Sequence, residues 1–446
     1  MRKLRDGQAS FVDAAMPELA LRGELARVDS LLDDERFLEP FARRLTSRIG
    51  RPTMPMERYL RLMYLKHRYG LGYETVVSEV ADSISWRRFC RIPLDGKVPH
   101  STTLIKLTQR FGPDTLDELN REVLKSAVER KVLRSHRLRV DTTVTEADVR
   151  YPTDSGLTAG AIKRVARAVA KVKAVGLAAR TRFRNRGRGA TKLDQQANSR
   201  TGVQAGDRRA RADKKTTQIH RLAETTLVEG GRVLRNAQRA LGQASKAGAE
   251  EVRRLSDELD LLGRVVEQTG QRLAGVKSIP DRLVSLVDTD ARPIRRGKLR
   301  QPVEFGYKVS VADTAEGFVA SHQVYVGNPL DSQTLSPAIE GAQDIGMDIW
   351  SVYTDRGYGD AVGDEALAQH GINDSVIPRK GRPDPRERTR SWRRRYRFRA
   401  GSEGRISALK RRFGLARTRL RGHSGAQIWV GMGILAHNLC RMASLV

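Results

Sequence analysis

The segments of strand-forming sequence fall into two widely separated groups, and this spacing restricts the possible folds more than any other feature. The first group is one segment, residues 137–145 (RLRVDTTVT), in which β-branched residues indicate a strand. The second group begins at 302–311 and 317–326, which predict two paired strands, and continues with strands at 348–354 and 374–378. Helical sequence separates the later strands. This order favours an α/β sheet domain that begins near residue 135 and contains a long insertion.

The insertion, residues 157–285, has helical and basic sequence. Residues 180–189 alternate arginine with glycine and asparagine, and we expect them to be loose. Further along, apolar residues recur at alternating steps of four and three, with one gap at Thr269, which predicts a coiled-coil hairpin that turns near 245–248. These apolar residues are Leu255, Leu259, Leu262, Val266, Leu273 and Val276. We expect this hairpin to be a packing arm that carries no chemistry.

Residues 1–130 have mostly helical sequence. Apolar residues recur at helical spacing in residues 31–41 and 56–69, and two glycines then end the second helix. Short helices, tight turns and basic residues favour a DNA-binding domain of the helix-turn-helix type. A helical bundle used only for dimer contacts is the alternative interpretation.

The net charge points to a polyanionic partner. The chain has 82 lysine and arginine residues against 52 aspartate and glutamate residues, a formal net charge of +30. DNA is the first candidate because each neutralised phosphate releases condensed counterions, which favours binding. RNA and anionic membrane surfaces are the alternatives.

Several features predict a cytoplasmic protein, associated with the nucleoid if DNA is its partner. The longest apolar stretch, Ile428–Leu439, is too short to span a bilayer. The N-terminal residues MRKLRDGQAS are not followed by the apolar run of a secretory signal. The only cysteines, Cys90 and Cys440, are far apart, which argues against a disulfide framework and suits a reducing compartment.

Three acidic residues are candidates for chemistry. Asp141 lies inside the first strand, where a carboxylate is costly to bury unless a cation or another group pairs with it. Asp355 follows an apolar strand, at the edge where α/β sheets bind ligands. Glu403 lies in predicted helical sequence, on one face with Arg399 and Lys410. Taken singly, each also suits a structural role, as we expect for Glu146, Asp148, Asp154, Asp288 and Asp290.

Together these residues resemble a known family. The fragments RVDTTV, YTDRGY and RAGSEGRISALKRRFG occur in the order of the three acidic blocks of DDE transposases of bacterial insertion sequences. The C-terminal signature of that group, Tyr-two-Arg-three-Glu-six-Lys, matches at Tyr396, Arg399, Glu403 and Lys410. The resemblance covers most of the chain except residues 157–280, and it departs from better-known members because they carry their insertion between the second aspartate and the glutamate.

The resemblance implies an α/β RNase H-like catalytic core with an α-helical N-terminal domain and a large basic α-helical insertion. The core would comprise 135–156 and 286–446, with 1–130 as the DNA-binding or dimerisation domain. Asp141, Asp355 and Glu403 would be the catalytic triad, holding two Mg²⁺ ions that Mn²⁺ can replace. Residues expected to contact DNA are Tyr396, Arg399, Lys410, Arg379, Lys380, Arg394 and Arg395.

The implied function is DNA strand cleavage followed by strand transfer, by a homodimer bound to the element ends and to target DNA. No glycine-rich phosphate loop is present, so no nucleotide cofactor is expected. Two alternatives remain at this stage. One is a DNA-binding protein without catalysis that derives from a transposase, and the other is a stand-alone metal-dependent nuclease.

Overall fold

The computed structural model describes residues 5, 20–45, 53–199, 207–243, 245–295 and 302–446. Two compact units share the chain: the first combines Met1–Asp148 with Ile294–Val446, and the second is Val149–Pro293. The N-terminal residues MRKLRDGQAS, which lack the pattern of a secretory signal, lie outside the described residues except for Arg5. None of the described helices is long and apolar enough to cross a membrane.

The N-terminal region of the first unit is helical, as predicted. Phe41, Tyr59 and Phe111 contact one another in its core, with ring centroids 4.9 to 6.0 Å apart. The last helix of this region is kinked at Gly112, whose φ of 67° suits glycine. The helices are α1 (Gly23–Leu32), α2 (Glu39–Arg44), α3 (Met56–Arg68), α4 (Tyr73–Asp82), α5 (Ile84–Phe89) and α6 (Ser101–Glu129).

The described part of the chain also contains a mixed seven-stranded sheet. Its path is β2-β3-β1-β5-β6, while β4 pairs with β3 and β7 pairs with β1. Strand β3 is antiparallel to both of its neighbours β1 and β4. Strand β5 runs parallel to β1, and β6 runs parallel to β5. The bounds are β1 (Arg137–Ala147), β2 (Arg292–Arg295), β3 (Val303–Thr314), β4 (Val319–Tyr325), β5 (Ser351–Tyr353), β6 (Asp374–Val376) and β7 (Arg417–Thr418).

Helices connect and cover the later strands. The C-terminal helix contains the apolar stretch 428–439, and it is buried because it packs against α1, α3, α6 and β4. This packing explains the apolar character of that stretch without a membrane. The labels α7 to α10 belong to helices of the second unit. The helices around the sheet are α11 (Leu335–Gln343), α12 (Ala361–Gln369), α13 (Arg390–Tyr396), α14 (Ala400–Arg412) and α15 (Gly422–Leu445).

The described residues of the second unit form four helices around an apolar core of their own. They are α7 (Asp154–Ala174), α8 (Gly187–Asn198), α9 (Asp207–Arg239) and α10 (Lys246–Leu273). Leu255, Leu259 and Leu262 of α10 are buried in this core. Because α10 packs on α7 as well as on α9, its apolar seam has two neighbouring helices rather than one.

Two local expectations for this unit were wrong. Val276 is 45% exposed, since α10 ends at Leu273 and Gly275 then takes a φ of 90°. Residues 180–189 are not loose throughout. The carboxylate of Glu229 accepts two hydrogen bonds from the guanidinium of Arg186, at 2.7 and 2.8 Å, and one from the backbone N–H of Arg184 at 2.9 Å.

Candidate active site

The two aspartates lie side by side because their strands are neighbours. Asp141 is a central residue of β1, where it is paired with Val311 of β3. Strand β5 runs parallel to β1 with Arg139 opposite Tyr353, so that Asp355, two residues further along, comes level with Asp141. The edge of the sheet that the sequence predicted as a ligand site therefore carries both carboxylates.

Glu403 reaches the same edge from α14, and a buried ionic cluster holds that helix against the sheet. Asp313 of β3 is fully buried and accepts hydrogen bonds from Arg139 and, at 3.3 Å, from the hydroxyl of Ser402. The guanidinium of Arg405 lies 3.6 Å from the same carboxylate. A Cβ on Gly401 would lie 1.8 Å from Nη1 of Arg139, so a larger residue there would displace this guanidinium from its present position.

The guanidinium of Arg399 contacts all three carboxylates. Its Nη2 atom lies 3.2 Å from Oδ2 of Asp141 and 3.9 Å from Oδ2 of Asp355, while Nη1 lies 2.9 Å from Oε1 of Glu403. Because Oδ2 of Asp141 and Oδ2 of Asp355 lie 3.2 and 3.9 Å from the same Nη2 atom, these two oxygens are no more than about 7 Å apart. The sequence therefore brings the three predicted acids together around one positive group.

The other oxygen of each aspartate is held by the backbone. Oδ1 of Asp141 accepts a hydrogen bond from the N–H of Thr142 at 2.8 Å, and Oδ1 of Asp355 accepts one from the N–H of Gly357 at 2.7 Å. These bonds leave both Oδ2 atoms directed toward Arg399. Tyr358 is buried close by, and its burial together with the neighbouring carboxylates raises its pKa well above the ordinary value.

The residues expected to contact DNA have different surroundings. Arg379 and Lys380 form ion pairs with Asp364 and Asp360, each at 2.6 Å. Arg395 forms one with Asp374. A second group of these residues lies along α13 and α14: the ring of Tyr396 stacks on Trp392 at a centroid distance of 4.9 Å, Arg394 is exposed, and Lys410 is half-buried.

Acidic residues outside this group of three have arginine partners of their own. Glu146 and Asp154 each form ion pairs with arginine, at 2.8 Å to Arg417 and Arg282 respectively. Within the residues that the structure describes, no three acidic, histidine or cysteine side chains lie close enough together, as placed, to hold one metal ion.

Asp331 is a further acidic residue of this edge that the sequence analysis did not single out. Its Oδ1 atom lies 2.6 Å from Nζ of Lys308 and accepts a hydrogen bond from the hydroxyl of Thr142 at 2.8 Å. In the sequence, Asp331 precedes a helix within the stretch Asp-Ser-Gln-Thr and therefore looks like an ordinary helix start. Lys308 could not be recognised from the sequence either, because a lysine in a strand of alternating apolar and polar residues is expected on the solvent face.

Family models for transposases match both parts of the first unit. The model described as a transposase DDE domain matches residues 283–439, which include Asp355 and Glu403 but not Asp141. The model described as a transposase domain (DUF772) matches residues 17–110, in the helical N-terminal region. No solved structure matches the chain significantly.

The chain is also similar to two curated proteins, one of which is named a transposase. An uncharacterized protein, ORF8 in the nfe locus of Rhizobium meliloti, is 30% identical over 156 residues, which are 33% of this chain and 72% of that protein. The transposase for insertion sequence element IS1106 of Neisseria meningitidis serogroup B is 30% identical over 132 residues, which are 29% of this chain and 43% of that protein. With its converging acids and both family matches, this chain belongs to the DDE transposases of insertion sequences.

Proposed function

We propose that this chain cuts DNA at the ends of an insertion sequence and joins the freed 3′ ends to target DNA. The observation that carries the proposal is the convergence of Asp141, Asp355 and Glu403 on one guanidinium. Three carboxylates from β1, from the end of β5 and from α14 meet there, although 261 residues separate the first from the last in the chain. Family membership gives the reaction class to which this arrangement belongs.

The donor set suits a hard divalent cation. All three groups offer carboxylate oxygen, the ligand that Mg²⁺ prefers, and their contacts with Arg399 mark a point where positive charge is already stabilised. We propose that Asp141, Asp355 and Glu403 hold two Mg²⁺ ions, or Mn²⁺ in their place. When bound, such ions neutralise phosphate charge and lower the pKa of an attacking water.

The protein's own groups have separate tasks in this proposal. The backbone N–H groups of Thr142 and Gly357 fix the orientation of the two aspartates. Glu403, whose side chain is 67% exposed, lies on the solvent side of the site, where a phosphodiester can approach. Arg399 neutralises the three acids and, with Lys410 and the exposed Arg394, is proposed to bind the DNA backbone.

The finer architecture is also a proposal. The set β4-β3-β1-β5-β6, with three antiparallel strands followed by two parallel ones, supports an RNase H-like catalytic core in 135–156 and 286–446. We propose that 1–130 binds DNA or a second copy, and that the chain acts as a homodimer at paired element ends. The insertion, 157–285, is proposed to act as a helical packing arm.

Substitution of the three acids tests the proposal. We expect Asp141→Asn, Asp355→Asn and Glu403→Gln each to reduce Mg²⁺-dependent cleavage of element-end DNA by at least about 100-fold, because each removes an anionic metal ligand. Binding of the same DNA should remain. Asp364→Asn is the matched control, since it also removes one carboxylate near the DNA-contact residues but none of the converging acids. Full cleavage by any of the three variants would remove that residue from the proposed triad.

Product analysis separates the related activities. Element-end DNA is taken from the inverted repeats that flank the gene and is incubated with a supercoiled target plasmid and Mg²⁺. Joined products are expected from a transposase. Cleavage without joining would instead indicate a nuclease, and binding without cleavage would indicate a protein that has lost catalysis.

A further inference from the structure

We propose that Asp331 is a positioning residue of this active site, which holds Asp141 and Asp355 so that both direct an oxygen to the same point. This inference rests on the proposed function of those two aspartates. Asp331 lies just after β4, in the turn that leads into α11, and is distant in sequence from both. Two polar contacts and one close approach connect it to β1, to β3 and to the turn after β5.

The first contact reaches Asp141 through its neighbour. The hydroxyl of Thr142 donates a hydrogen bond to Oδ1 of Asp331 at 2.8 Å, and the N–H of Thr142 donates to Oδ1 of Asp141 at 2.8 Å. Thr142 is buried, so its hydroxyl needs a protein acceptor. Asp331 thereby restricts the peptide unit that orients the carboxylate of Asp141.

The second contact is a buried ion pair with β3. Lys308 is 6% exposed, and its Nζ atom lies 2.6 Å from Oδ1 of Asp331 and 2.6 Å from the carbonyl oxygen of Pro329. Strand β3 is paired with β1, with Lys308 opposite Val144. Without Asp331, the ammonium group of Lys308 would remain buried beside the neutral carbonyl of Pro329 and without this anion, which is costly.

The third link is a close approach to the turn that holds Asp355. A Cβ added to Gly357 would lie 2.6 Å from Oδ2 of Asp331 and 2.8 Å from Oδ1 of Asp355. The two carboxylates therefore lie next to the same glycine, on the side where a side chain would be. Ser332 strengthens this connection, because its hydroxyl donates to Oδ2 of Asp360 at 2.9 Å.

A simple helix cap does not account for these contacts. In the turn, the backbone carbonyl of Asp331 accepts a hydrogen bond from the hydroxyl of Thr334 at 2.7 Å. The side chain instead contacts Thr142 of β1 and Lys308 of β3. A residue needed only to start a helix would direct its oxygen to the N–H groups of the first turn.

Two variants distinguish positioning from charge neutralisation. Asp331→Ala removes every contact but leaves Lys308 as a buried unpaired cation, so it can fail by misfolding. The double variant Asp331→Ala/Lys308→Met removes that cation and keeps an apolar side chain of similar length in β3. If Asp331 served only to neutralise Lys308, the double variant would behave like the parent chain.

The test measures binding of Mn²⁺ to the full-length chain without DNA, by electron paramagnetic resonance of the free ion. Mn²⁺ Kd is expected to rise about 10- to 100-fold in the double variant, the range found for residues that orient metal ligands. Asp331→Asn, which keeps an acceptor for Thr142, is expected to show a smaller rise. The Mg²⁺ concentration for half-maximal DNA cleavage should rise in the same order, while DNA affinity stays unchanged.

Parent-like Mn²⁺ binding by the folded double variant would overturn the proposal for Asp331 and leave the proposed function intact. Absence of Mn²⁺ binding and of Mg²⁺-dependent cleavage in the parent chain itself would overturn both. Asp364→Asn again serves as control, because its carboxylate is exposed and paired with Arg379 outside this cluster.

Discussion

Removal of the Asp313 carboxylate should destabilise the first unit strongly. Asp313 has no exposed surface, and it accepts hydrogen bonds from Arg139, whose side chain is 7% exposed. Arg405 also lies against it at 3.6 Å. In Asp313→Ala, two guanidinium groups would therefore remain in the interior without the anion that they share.

The burial of the ion pair determines how much unfolding free energy Asp313→Ala loses. Loss of one partner from a buried ion pair costs about 3–5 kcal/mol, because the remaining charge stays desolvated. Exposed pairs contribute only about 0–1 kcal/mol. Arg379 and Asp364 form such a pair, with side chains 42% and 50% exposed, so Asp364→Ala is the matched control. We expect the two free energies of unfolding to differ by about 2–5 kcal/mol.

Tryptophan fluorescence during equilibrium urea unfolding measures this difference in the relevant unit. All four tryptophans, Trp86, Trp350, Trp392 and Trp429, belong to the first unit, and the second unit has none. The Asp313→Ala midpoint should fall well below that of Asp364→Ala. The double variant Arg139→Met/Asp313→Leu should recover much of the loss, as apolar replacements of buried ion pairs do. Equal midpoints for the two single variants would refute the reasoning.

Four further outcomes are expected. Burial lowers the pKa of Lys66 to about 7, so between about pH 7 and 10 the unfolded chain binds more protons than the folded chain, and stability rises with pH. Lys66→Met should therefore stabilise the fold by about 2–4 kcal/mol at pH 7. In urea titrations, this difference between variant and parent should shrink toward pH 10. Gly306→Ala should lower the free energy of unfolding by more than about 2 kcal/mol, since its Cβ would lie 2.2 Å from a carbonyl oxygen of β1. Gly189→Ala, in open space on α8, should instead raise the free energy of unfolding by about 0.5–1 kcal/mol, as thermal unfolding would show. Gly357→Ala should abolish cleavage while DNA binding persists, because its Cβ would displace both neighbouring carboxylates; normal cleavage would contradict that geometry. Chelation by EDTA should stop cleavage, and Mg²⁺ or Mn²⁺ should restore it; activity in EDTA would argue against a metal-dependent reaction.

Local patterns predicted the elements of the sheet well. The β-branched residues around Asp141 and the alternating residues of 302–311 and 317–326 mark strands that the structure contains as β1, β3 and β4. Short strands were predicted too long: β5 covers only Ser351–Tyr353. Backbone pairing decides such ends, and pairing depends on residues elsewhere in the chain.

Interactions between distant residues could not be predicted in the same way. Arg399 belongs to a segment so rich in arginine that contact with DNA was the natural expectation, and only the fold shows it among three carboxylates. In the sequence, Asp331 resembles the start of a helix and Lys308 resembles an exposed strand residue. Only the structure shows that they form an ion pair and that Asp331 accepts a hydrogen bond from Thr142 of β1. Charged residues are ambiguous in sequence because their surroundings, which determine their role, come from other elements.

The pairing of β1 with β3 sets an order of events during synthesis of the chain. Val140 and Ala312 are paired neighbours, yet the whole second unit is translated between them. While that unit emerges from the ribosome, β1 has no β3 beside it, and its backbone is an open edge that other strands can join. A chain truncated before residue 303 should therefore aggregate, even though the helices of its second unit can form from contacts made within 149–293.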